Sequence, residues 1–84
     1  MQITDYPDDA PELSRFVESR LAAMGLSCTV RTQREHWDTQ IRASCGGVTK
    51  SILLDPIRSI ADAEKEITTQ VNVLGLALQR DLHA

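Results

Sequence analysis

Little in this sequence announces a chemistry. Its two cysteines, Cys28 and Cys45, stand far apart with no CxxC pair. Neither the disulfide framework of a small secreted domain nor the closely paired ligands of a small zinc domain is therefore written into it. No apolar run approaches the roughly 20 residues that a membrane span needs. The opening residues, Met1 to Tyr6, lack the positive start and apolar centre of a signal peptide, so a reducing cytoplasm is the expected compartment. Charge is scattered: the net value is −3 and the pI about 5.2, without an acidic or basic block. A mildly acidic chain suits nonspecific nucleic-acid binding poorly, because that binding depends on neutralising phosphates. Repeats, linkers and low-complexity runs are missing as well.

What is present reads as one small domain, 1–84, with 1–7 as a short N-terminal arm. A chain of this size buries only about 60% of its unfolded surface, so an oligomeric contact adds usefully to its core. Asp8 and Asp9 precede Ala10-Pro11-Glu12, the pattern of a helix start. An aspartate oxygen caps free amides, proline suits the first turn, and Glu12 complements the dipole. Leu13, Phe16, Val17, Leu21 and Met24 form one apolar stripe, and Gly25 is placed to end the helix in a left-handed conformation.

Three strands are expected next. Leu26, Cys28 and Val30 alternate with polar residues, as do Trp37, Thr39, Ile41, Ala43 and Cys45, and Val48 to Leu54 follows. This period of two marks half-buried strands. Gly46-Gly47 supplies the positive φ angles of a tight hairpin, setting Cys45 opposite Val48, Ile41 opposite Ile52 and Thr39 opposite Leu54. A turn at Arg34-Glu35 sets Leu26 opposite Ala43, Cys28 opposite Ile41 and Thr32 opposite Trp37, although that pair is poor turn chemistry and a longer loop would suit it. Lys50 then falls on the apolar face opposite Ala43, and Leu53 on the outer face.

The last helix, Ser59 to Leu82, carries the most information. Ile60, Ala63, Ile67, Val71, Leu74, Leu78 and Leu82 recur at spacings of three and four, one face of a helix. Acidic residues near its start and Arg80 and His83 near its end suit the dipole. Gly75 in its interior costs about 1 kcal/mol against alanine, and close backbone approach is one reason for a glycine there. Val73, Leu76 and Ala77 point away from the apolar face, where a surface helix should be polar. The expected fold is α+β in the order α-β-β-β-α: a three-stranded antiparallel meander with two helices packed on one face.

Chemical clusters are weak. His36 and Asp38 share one strand face, but no serine or cysteine nucleophile sits beside them, and a triad is defined by geometry and roles. In the register above, the two cysteines lie about 13 Å apart along the sheet at ~3.3 Å per residue. That is too far for a disulfide and leaves two free core thiols. No catalytic residue, metal ligand or cofactor is expected. The element order resembles that of the double-stranded RNA-binding domain, which grips phosphate with lysines where its second helix begins. The stretch in that position, Arg58-Ser59-Ile60-Ala61-Asp62-Ala63-Glu64-Lys65-Glu66, has a net negative helical part that repels phosphate.

The sequence therefore points to a non-enzymatic protein-interaction domain, a homodimer through the Val71 to Leu82 half of the last helix or through the unpaired edge of the third strand. Val73, Leu76, Ala77 and Arg80 are the interface candidates. Trp37 and Arg42 are weaker ones, for a second protein. An adaptor or inhibitor docking on a larger protein fits the size and charge, a phage-encoded anti-defence inhibitor being one form. The alternatives are a nucleic-acid-binding module and a small enzyme assembled in an oligomer.

Overall fold

The computed structural model describes residues 8–34, 38–55 and 60–83. Its elements are α1 (Pro11–Ala23), β1 (Thr29–Arg34), β2 (Thr39–Cys45), β3 (Val48–Leu54) and α2 (Ile60–Leu82). The strands form an antiparallel meander in the order β1-β2-β3. Both helices pack on one face of it, α1 against β1 and α2 against β3, and they touch each other. The architecture is the α+β arrangement that the periodicities predict.

The helix α1 begins otherwise than its sequence suggests. Ala10 is the N-cap and no side chain caps the amides there; Asp8 and Asp9 turn instead towards β1. The other end follows expectation. Gly25 has φ +83, and the Gly25 and Leu26 amides donate to the Ala22 and Leu21 carbonyls at 2.9 and 3.0 Å. This paired closure satisfies carbonyls that the end of a helix leaves open.

Gly46 and Gly47 have φ +56 and +87, and the second hairpin has the expected register, from Cys45↔Val48 to Thr39↔Leu54. The first hairpin does not. Val30 faces Ala43 and Thr32 faces Ile41, with Arg34↔Thr39 as the last pair. The connection is thus the four residues 35–38 rather than a turn at Arg34-Glu35, and Leu26 and Cys28 precede the strand. The slip is four residues. Because it is even, every side chain keeps its face.

The core is built from Leu13, Val17 and Leu21 of α1, Val30, Ile41 and Ala43 of the sheet, and Ile67, Val71, Leu74 and Leu78 of α2. Gly75 lets the helices meet: a Cβ there would run into Sδ and Cε of Met24 and lie 3.3 Å from Cδ2 of Leu21. Ser14, Thr32 and Thr39 are buried within this core. Among the described residues no buried polar side-chain atom lacks a hydrogen-bond partner. The 23 residues of α2 make a rod of about 34 Å. Strands of 7 residues run only about 23 Å. Among the described side chains of α2, Ile67 is the first to be fully buried; Ile60 and Ala63 before it are half-buried against the core, and Glu64, Lys65 and Glu66 are exposed.

Candidate functional site

Three surfaces deserve comparison: the two edges of the sheet and the outer side of α2. In an antiparallel sheet, alternate residues of an edge strand turn their backbone groups away from the neighbour. On β1 these are Val30, Thr32 and Arg34, and each amide donates to a carboxylate. Val30 donates to Glu18 Oε1 at 3.0 Å, Thr32 to Asp8 Oδ1 at 3.3 Å and Arg34 to Asp9 Oδ2 at 2.9 Å. The Thr32 carbonyl in turn accepts from the Asp9 amide at 2.8 Å. A chain of hydroxyls ties this edge to α1, with Ser14 donating to Asp8 Oδ1 at 2.7 Å and lying 2.9 Å from Thr32 Oγ1. The β1 edge is sealed.

The opposite edge is not. The tight turn makes Cys45 and Val48 a bonded pair, so Val48, Lys50, Ile52 and Leu54 face β2. Thr49, Ser51 and Leu53 then turn their amides and carbonyls outward. Among the described residues no hydrogen bond reaches those groups. Lys50, on the inner face opposite Ala43, bends back to Asp81 of α2 at 2.6 Å. Its hydrogen bond holds the Asp81 carboxyl below the usual value of 3.8. Leu53 is 64% exposed on the outer face.

On α2, Val73 and Leu76 are 58% and 61% exposed, and the Arg80 side chain is 78% exposed. Spacings of three and four put these three on one ridge. Gly75 and Gln79 mark the side towards α1, Gln79 donating to the Met24 carbonyl at 2.8 Å. Asp81 marks the side over β3. Ala77, four residues before Asp81, belongs to that flank and is half-buried. Arg42 lies on the far face of the sheet, facing Arg31 and Ser51 in the register. The structure thus gathers Val73, Leu76 and Arg80, sets Ala77 beside them and separates Arg42. Trp37, with His36, lies outside the described residues, as does the expected cap Ser59.

An open groove of about 550 Å³ runs between the helices, lined by Arg20, Ala61, Glu64, Lys65, Thr68 and Thr69. It mixes both charges and has no cysteine or histidine on its walls. Among the described residues no group of three metal-binding side chains converges, and no described helix is long and apolar enough to cross a membrane. Both cysteines are free, but their separation differs from expectation. One step beyond Thr29↔Ser44, Cys28 comes opposite Cys45. Burial, then Cys45 and the Glu18 carboxylate, push the Cys28 thiol from 9.0 up to about 12. Such a thiol is a poor nucleophile.

No protein-family model matches the chain, and neither a curated protein nor a solved structure does.

Proposed function

We propose that this chain is a non-enzymatic protein-interaction domain that works as a homodimer, an adaptor or inhibitor that docks on a larger protein. The observation that carries the reading is the ridge of α2. Two large apolar side chains, Val73 and Leu76, stand more than half exposed next to Arg80 on an otherwise well-packed helix. Burying apolar surface is worth about 25 cal/mol per Å², so covering this ridge stabilises an assembled state. Arginine beside apolar residues is the composition that interface centres favour. Val73 stands where the ridge meets the flank over β3, the side we assign to the second copy. Leu76 and Arg80 face outward, towards the larger protein.

Light scattering after size exclusion tests this. A dimer is expected for the wild type, and Val73→Arg shifts it to monomer with an unchanged circular dichroism spectrum. A wild type that stays monomeric at high concentration removes the homodimer, and a Val73→Arg variant that stays dimeric takes α2 out of the contact.

A further inference from the structure

We propose that a second copy of this chain pairs antiparallel along the open edge of β3, joining two three-stranded sheets into one across a two-fold axis; this rests on the homodimer reading and names the surface it uses. The two edges differ in kind. Three carboxylates cap the outward amides of β1, whereas Thr49, Ser51 and Leu53 of β3 present backbone donors and acceptors that nothing among the described residues engages. Unpaired strand edges are templates for another strand. A copy whose β1 is closed has only β3 to offer, so the pairing is the same edge on both sides. Such a contact closes on itself as a dimer, where β3 on β1 would run on as a filament.

The strand also fits itself. The alignment that pairs all of Val48–Leu54 sets Ser51 opposite Ser51. Thr49 then faces the second copy's Leu53, Lys50 its Ile52, and Val48 its Leu54. No like charges meet, and like charges directly opposite are what destabilises such pairs. An inward-pointing lysine commonly guards an edge, but here Asp81 draws Lys50 back at 2.6 Å. Val48 and Ile52 are half-buried at this edge, and Leu53 is 64% exposed; the added strand covers all three. Above the edge the α2 flank carries Ala77, half-buried, and a small side chain there lets a neighbouring helix approach closely.

Ser51→Pro tests the edge alone. The Ser51 amide faces away from β2, so proline removes an outward donor and leaves the β2–β3 ladder whole. Across the two-fold this deletes two intermolecular bonds, and the dimer dissociation constant rises about 30-fold while the circular dichroism spectrum is kept. Amide exchange on the wild type supplies a readout independent of any variant: Thr49, Ser51 and Leu53 exchange slowly at high concentration and freely on dilution. A wild-type dimer that survives Ser51→Pro with these amides unprotected overturns the edge and leaves the homodimer reading standing on α2. A monomeric wild type overturns both. Protection that appears only on adding a foreign extended peptide overturns the second copy as the occupant.

Discussion

Replacing Ser14 by alanine should destabilise this fold more than the loss of one small hydroxyl suggests. Ser14 is 2% exposed and Thr32 0%. The serine proton goes to Asp8 Oδ1 at 2.7 Å, so the 2.9 Å contact has Thr32 donating to Ser14 Oγ. Alanine breaks both links. A hydrogen bond to a charged group is worth about 1.5–3 kcal/mol, but Asp8 is half-buried and water replaces part of it. The Thr32 hydroxyl has no such recourse, and a stranded buried donor costs about 1–3 kcal/mol. Together the expected loss is about 3 kcal/mol, a fall in Tm of roughly 12–24 °C for a chain of this length. The diagnostic is the double variant. Adding Thr32→Val removes the stranded donor with little change of shape, so it should return about 1–2 kcal/mol relative to Ser14→Ala alone. Urea unfolding followed by far-ultraviolet circular dichroism at one fixed protein concentration measures both, since assembly is linked to stability. If Ser14→Ala costs less than about 1 kcal/mol, or Thr32→Val deepens the loss, the relay from β1 to Asp8 is not what holds these elements together.

Three further outcomes follow from the same geometry. With its thiol at about 12, Cys28 in the native protein should alkylate at pH 8 about 10³-fold more slowly than in urea, read by mass spectrometry. Because the folded value is raised, the stability this thiol contributes is present in full below its ordinary 9.0 and is lost as pH climbs through about 12. Urea midpoints recorded across that window should fall. Leu76→Arg should change monomer stability by less than about 0.5 kcal/mol, because the side chain is 61% exposed; a large loss would mean that the ridge is held by its own chain. Asp9→Ala with Glu18→Ala uncovers the Arg34 and Val30 amides and gives the molecule a second open edge. Light scattering should then find species larger than a dimer that grow with concentration.

The parts of the fold that were legible are those with local signals. Gly46-Gly47 needs positive φ at both positions, which pinned the second hairpin to the residue. The three-and-four spacing of α2 identified its buried stripe and two of the three surplus residues: Val73 and Leu76 are exposed, whereas Ala77 is half-buried on the flank over β3. The first hairpin slipped because Arg34-Glu35 carries no turn chemistry to hold a register. An even slip is invisible to periodicity, which reads faces and not partners. The two thiols are free as expected, but their separation is hidden for the same reason, since it depends entirely on that register. Asp8 and Asp9 resembled helix caps because a cap is a local pattern, while their actual partners at Thr32 and Arg34 lie 24 and 25 residues away. The sealed edge is therefore a tertiary fact. Nothing in the spacing of the three carboxylates along the chain marks it.

The mismatch between a long rod and a short sheet has its own outcome. From Ile67 onward α2 is clamped between α1 and β3, whereas among the described side chains before it only the half-buried Ile60 and Ala63 rest on the core and Glu64, Lys65 and Glu66 are exposed. A helix draws most of its stability from packing, not from its own residues. Hydrogen exchange should therefore divide this single helix into a fast-opening entrance and a slow exit, its loose end unwinding many times for each excursion of the end that holds the core.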